Sequence, residues 1–507
     1  MKAFKHFPMY LDKYPAPKSQ FSVFVSGSKL WEVPTAPFTP PSSQSARLMW
    51  EPQCHSQLSF LRHRARVTAA IPPNLDGTWV STRCEVRPGP EFLMRSYTFL
   101  SSPTRLFKAL QHYYADSGCQ VPTYSLVIRG KLRLRQASWI TRGATEAEHH
   151  LHKVGIVVHS MGAARHLSTD LPSSCLGLPV RYLVPHQLYE LFNAKTDRDC
   201  LAALGFSMME LDLLRVETQH HPDGGQVQEL FLGDVHTDWS QRTHYRPTEY
   251  QEPLQNSMYH IHPCPVCARV YRATELRPPS LPPSPVLPLV LDGRWVSQRC
   301  EARPAVLFLT REFVFSEEQH VWEGMYRHYS DPVCLQPTFT IHASGHYVQS
   351  GPSSRLRGAT ELVFKVMRAS VTVHNRPTAR LLNSSREQSC GQSGGWEVGV
   401  EQDVTWTGGC SMLGIRLPHK EYELFKMEQD HKQRPLLFIG ERPTDGSSPD
   451  RPQKRPTSYQ APLVQCSLET PRLSQHSAPS AHPASGSAGS LHPVCALLLL
   501  SVLNIIC

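Results

Sequence analysis

Two groups of residues have the types and spacing to do chemistry. His260, His262, Cys264 and Cys267 form an HxHxCxxC cluster, two imidazoles and two thiols of the kind that hold zinc. The second ligand pair that a zinc finger needs is missing, and the cluster lies in a proline-rich connecting stretch, so no metal is expected there. The run Val158-His159-Ser160-Met161-Gly162-Ala163 resembles the G-x-S-x-G elbow that presents a nucleophilic serine. Val158 stands where the strained turn needs glycine, and the related run later in the chain, Val373-His374-Asn375-Arg376-Pro377, has no serine. Neither a phosphate-cradling loop nor a dinucleotide fingerprint occurs. The expectation is a protein that is not an enzyme and uses no cofactor; a hydrolase built on Ser160, His159 and His374 is the weaker reading.

The elements that would position such residues follow from composition. The chain has 507 residues, 40% of them hydrophobic, enough to bury the cores of two or three domains. Its 44 prolines and 29 glycines argue for turns and short strands and against long helices. The net charge is +9, but the 52 basic residues are scattered, and without a basic helix or a reading module no nucleic-acid partner is expected.

The chain is an internal duplication. Residues 75–95 (LDGTWVSTRCEVRPGPEFLMR) and 291–311 (LDGRWVSQRCEARPAVLFLTR) are identical at 14 of 21 positions without a gap. The correspondence continues through Cys119 and Cys334, residues 142–146 and 357–361 (both RGATE), His159 and His374, and residues 246–251 (RPTEYQ) and 455–460 (RPTSYQ). A unit of this size is a domain rather than a solenoid repeat. In residues 126–135, Leu126, Ile128, Leu132 and Leu134 alternate with Arg129, Lys131, Arg133 and Arg135, the period of a half-buried strand. Residues 92–99, 150–159, 228–233, 363–374 and 436–440 read as further strands, residues 54–64 as a leading helix, and residues 189–192 as a short helix.

The fold class is therefore mainly β: two homologous antiparallel barrel-like domains, lipocalin-like or a similarly curved sheet, at 53–254 and 291–466. Residues 255–290 form a Cys/Pro-rich linker whose proline run should restrict the orientation of the two domains. Trp79 and Trp295, each in a G-x-W at the start of a copy, are expected to close one end of each barrel. Cys84 with Cys119 and Cys300 with Cys334 occupy equivalent places and are read as the same bridge in each copy. Cys175 matches Cys410, and Cys200 and Cys390 are extra thiols available to pair with them, the connectivity being open. Asn383 begins the only N-x-S/T sequon, a glycosylation candidate.

The two ends send opposing signals. Residues 494–507 (VCALLLLSVLNIIC) are apolar but short of a full span, and a small-residue stretch at 484–490 precedes them, the order of a glycolipid-anchor signal. A short single-pass span is the alternative. Residues 467–490 read as a Ser/Pro-rich stalk, and residues 1–48 as an atypical, disordered N-terminus without a secretory apolar region.

The paired W-V-S-x-x-C-E-x-R-P motifs at residues 79–88 and 295–304, with residues 130–146, 229–238 and 445–466, resemble the adenomatosis polyposis coli down-regulated 1 family, and most of all its "-like" branch. The resemblance spans roughly 53–466, and departs at the N-terminus, where the family has a secretory signal, and in the short tail. It implies a cell-surface glycoprotein at the outer face of the plasma membrane that antagonises Wnt signalling by binding Wnt ligand and its co-receptor. It further implies a β-barrel domain that takes the Wnt acyl chain. The alternative is a surface scaffold or adhesion protein whose basic face at residues 129–135 binds acidic glycans, through contacts that salt would weaken.

Overall fold

The structure, a computed structural model, describes residues 67–466 apart from 101–104, 172–182, 197–198, 221–224, 305–306, 385–389, 393 and 431–432. In the first copy β1 (Gly77–Val80), β2 (Glu91–Phe99), β3 (Leu106–Tyr114), β4 (Pro122–Ala137), β5 (Thr145–Val158), β6 (Leu213–His220), β7 (Gln226–Leu232) and β8 (Leu254–Asn256) pair in chain order. Pairing of β8 with β1 closes an antiparallel ring of eight strands. The second copy repeats the ring with β9 (Gly293–Ser297), β10 (Leu307–Ser316), β11 (Val321–Tyr329), β12 (Pro337–Pro352), β13 (Ala359–Val373), β14 (His419–Gln429), β15 (Pro435–Ile439) and β16 (Leu463–Gln465). Closure removes the free sheet edges that would otherwise invite aggregation.

Alternation builds the interiors. Phe107, Ala109 and Tyr113 of β3 and Leu126, Ile128 and Leu132 of β4 face inward, while Arg129, Lys131 and Arg133 face solvent. At Gly130 the approach is so close that a Cβ would lie 2.7 Å from the His150 carbonyl oxygen and from the Phe107 ring. The second barrel is filled with aromatic rings in edge-to-face contact, Phe315 with Tyr347 at 5.9 Å and Trp322 with Phe364 at 5.5 Å. Trp79 and Trp295 are 1% and 0% exposed, and each indole N–H donates to a backbone oxygen four residues earlier, Leu75 and Leu291, at 2.8 Å. The turn before each tryptophan requires glycine, since Gly77 and Gly293 have φ of +107° and +103°.

The short helix expected at residues 189–192 is instead the strand Leu188–Asn193, and its counterpart lies inside β14. Tyr189 and Leu191 are buried with Glu190 between them facing outward, a period of two that a four-residue window does not reveal. The expected helix at 54–64, Cys175, the stalk and the apolar tail lie outside the described residues. The linker docks on the first barrel: Tyr114 Oη donates to the Pro279 carbonyl oxygen, and the Leu281 amide donates to the Cys119 carbonyl oxygen at 3.1 Å.

Candidate functional site

The repeated W-V-S-x-x-C-E motif builds a buried ionic brace inside each barrel. Ser81 Oγ donates to Glu85 at 2.5 Å and accepts from the Arg95 amide at 2.6 Å, and the Arg95 guanidinium grips Glu85 at 2.6 and 3.2 Å. Ser297, Glu301 and Arg311 repeat the arrangement, with Ser297 Oγ to Glu301 at 2.6 Å and Arg311 to Glu301 at 2.9 and 3.0 Å. The next residues bind the strands to the cysteines: Cys84–Cys119 and Cys300–Cys334 are disulfides with Cα separations of 5.6 Å. Cys390 pairs with Cys410, and Cys200 is also disulfide-bonded.

Cys264 and Cys267 are joined to each other at the start of α2 (Pro265–Tyr271), so the thiolates that zinc would need are consumed, and that pair was missing from the sequence-based candidates. Spacing alone could not separate a disulfide from a metal pair. Ser160 is the N-cap of α1 (Met161–Asp170), its Oγ accepting from the Ala163 amide at 3.1 Å, and Asn375 caps α3 (Arg376–Asn383) in the same way. His159 and His374 hold equivalent hydroxyls, Ser125 Oγ and Thr340 Oγ1, each at 2.7 Å from Nε2. Ser125 also contacts His112 Nδ1 at 2.7 Å, and burial pushes the His112 imidazole down to about 3. Asn383 is exposed, and its amide exchanges two hydrogen bonds of 2.9 Å with the Trp396 backbone.

The two barrels meet through reciprocal contacts. Arg83 of the first stacks on Phe438 of the second at 4.8 Å, and its equivalent Arg299 stacks on Phe231, the equivalent of Phe438, at 5.4 Å. Arg299 binds Glu229 through both nitrogens at 2.8 and 3.1 Å, and Arg83 bridges Glu252 at 2.6 Å and Glu428 at 3.2 Å. Thr237 meets its own counterpart Thr444, each amide donating to the other's hydroxyl, at 3.1 and 3.3 Å. Exchange of i to j for j to i is the pattern of a two-fold interface, made here by two halves of one chain. Between the barrels lies a cavity of about 480 Å³ walled by these arginines, glutamates and rings. Asp234 and Glu249 of the first barrel lie near Glu441 of the second; burial pushes Asp234 up to about 6, and burial with the neighbouring acids pushes Glu441 to about 7 and Glu249 well above its usual range. So charged a wall suits a clamp more than an apolar ligand.

The apolar candidate is in the first barrel. There β5 divides: its start pairs with β6 through only Thr145↔Leu214 and Glu146↔Leu213, while residues 153–157 pair with Leu188–Asn193. In the second barrel the equivalent seam, β13 with β14, runs over eight pairs. Beside the short seam the core of the first copy is one unbroken cluster that joins Trp79 and Tyr97 to Leu167, Leu183, Leu191 and Met208. In the second copy the lobe under α3 is a separate cluster, with Val371, Leu382 and Trp396. Met161, Val184 and Leu188, each about half exposed, surround the end of β5, where Leu188 pairs with Val157. No residue motif marks this passage; it arises from which strands pair.

Comparison with known proteins bears out the resemblance. Residues 53–282 and 285–472 match the family model described as adenomatosis polyposis coli down-regulated 1. Among solved structures, the vaccine antigen Transferrin Binding Protein B from Haemophilus parasuis, in a tryptophan-to-alanine mutant, shares 8% identity over 74% of this chain and 65% of that one. Its TM-score of 0.14 is too low to bear on fold or function. With both barrels and their bridges inside the matched segments, the chain belongs to the adenomatosis polyposis coli down-regulated 1 family.

Proposed function

We propose that this protein is an extracellular, non-catalytic inhibitor of Wnt signalling that captures Wnt ligand and receives its acyl chain in the first barrel. Membership of the family fits a regulator of the Wnt pathway, and the disulfides fit an oxidising, extracellular setting. The observation that carries the acyl part is the single apolar core of the first copy, which joins the barrel interior to Leu167, Leu183 and Leu191 under α1, beside a two-pair seam and with the exposed Met161, Val184 and Leu188 at the end of β5. Side chains fill this core, so the acyl chain enters by parting the short seam, which has few ladder hydrogen bonds to break. The co-receptor contact of the family and anchoring through residues 494–507 at the outer face of the plasma membrane belong to the same proposal; no helix among the described residues is long and apolar enough to cross a membrane.

The test is a pull-down of acylated and acyl-free Wnt at two salt concentrations, with the wild type and Leu188→Asp. Capture that depends on the acyl chain, resists salt and is lost in the variant is the expected result. Failure of folded, disulfide-bonded protein to capture either form would remove the proposal, and equal capture of both forms would remove its acyl part.

A further inference from the structure

The outer face of the first barrel carries basic residues aligned across three adjacent strands. Register places Lys108 of β3 opposite Arg129 of β4, and Arg129 opposite Lys153 of β5. Like charges directly opposite one another weaken a sheet, so packing gives no reason for this row. The neighbouring positions of β4 extend it: Lys131, opposite His150, then Arg133 and Arg135 are all exposed. Along the strand these cations recur about every 7 Å, and neighbouring strands lie about 5 Å apart, so the face is a lattice roughly 20 Å long. Lys108, Lys153 and Arg135 each have one carboxylate partner, Glu275, Glu190 and Glu148. Among the described residues no carboxylate lies within ion-pair distance of Arg129, Lys131 or Arg133.

The duplication supplies an internal comparison. The corresponding row of the second barrel is Glu323, Ser344 and Arg368, in the same register and with no net charge, and Arg133 is matched by Val348. Two copies of one fold thus keep the same ladder while only the first collects cations. The fold does not need them, and the difference is a property of the surface.

We propose that this face of the first barrel binds a linear sulfated glycan, laid along β4 with its sulfates and carboxylates on Arg129, Lys131 and Arg133 and flanked by Lys108 and Lys153. Guanidinium and ammonium groups suit closely spaced oxyanions, and a regular polymer suits a regular lattice. Disulfide-stapled domains belong to an oxidising compartment, where sulfated glycans rather than nucleic acids are the long polyanions. A membrane surface is the poorer match, because these rows expose no large apolar side chain that could enter the headgroup layer.

The experiment compares the full chain on immobilised heparin, on unsulfated heparosan and on phosphatidylserine vesicles across a salt series. The first variant, Lys108→Glu with Arg129→Ser, installs the residues of the second barrel; the reciprocal variant, Glu323→Lys with Ser344→Arg, builds the row there. Expected results are selective retention on heparin and a slope of log affinity against log salt that falls by about 2 in the first variant, roughly one per lost cation. The reciprocal variant should elute at higher salt than the wild type, a result that stands even if the first variant folds poorly. Equal retention on heparosan, an unchanged slope in the folded first variant together with an unchanged reciprocal variant, or binding confined to the vesicles would each overturn the proposal.

Discussion

Replacing Arg299 by Met tests whether the reciprocal interface holds the barrels together. Arg299 presents both terminal nitrogens to Glu229, whose side chain is 4% exposed while that of Arg299 is 30% exposed. Losing one partner of a fully buried pair costs about 3–5 kcal/mol, because the remaining charge stays desolvated. Solvent reaches Arg299, and Gln219 at 2.8 Å and Gln255 at 3.4 Å still donate to Glu229, so the loss should be nearer to about 2 kcal/mol. Loss of the stack on Phe231 adds about 0.5–1 kcal/mol. In a cycle with Glu229→Gln, urea unfolding followed by tryptophan fluorescence should give a coupling of about 2 kcal/mol. The exposed pair Arg135–Glu148, at 39% and 57%, should give less than about 0.5 kcal/mol in the same assay. A Glu229–Arg299 coupling as small as that of the surface pair would refute an interface that orients the two barrels.

Four further outcomes follow from the brace, the bridges and the titrating groups. Arg95→Met alone should cost about 3–5 kcal/mol, since Arg95 and Glu85 are 0% and 6% exposed, whereas replacing both together with apolar residues should recover most of the loss; thermal unfolding reads both. Cys84→Ser with Cys119→Ser, opening a 35-residue separation, should cost about 4 kcal/mol in chemical denaturation by the chain-entropy relation. His112, held neutral with its pKa depressed to about 3, contributes stability that is complete above about pH 6.5 and is lost as pH falls toward 3; denaturation midpoints in His112→Gln should show a flatter acid limb. Glu441 is pushed the other way, from 4.5 to about 7, so its contribution is complete below about pH 4.5 and is lost as pH rises from there through 7; Glu441→Gln should flatten that limb of the stability profile.

Much of the architecture could be read from residue order because it depends on local pattern. The repeated motifs delimit two copies, the alternation of Leu126 to Arg135 marks β4, and the matched positions of Cys84, Cys119, Cys300 and Cys334 correspond to two of the bridges found. The reading failed where a short segment supports two periods, as at residues 189–192, and where one spacing serves two chemistries, as at Cys264 and Cys267. Residue order already weighs against Ser160 as a nucleophile, and its hydroxyl accepts from the Ala163 amide as a helix N-cap.

The sequence by itself determined the duplication, the strand-rich class, the family and which strand faces carry charge, because each is written in the order and period of neighbouring residues. Only the tertiary structure decided that Arg83 and Arg299 exchange partners across the two barrels. It alone brought Lys108, Arg129 and Lys153 into one row, and left the β5–β6 seam with two pairs where the equivalent seam of the second barrel has eight, so that one core joins barrel and lobe while the other is divided. Those features depend on register and on contacts between residues far apart in the chain, and copies with matching motifs can differ in both.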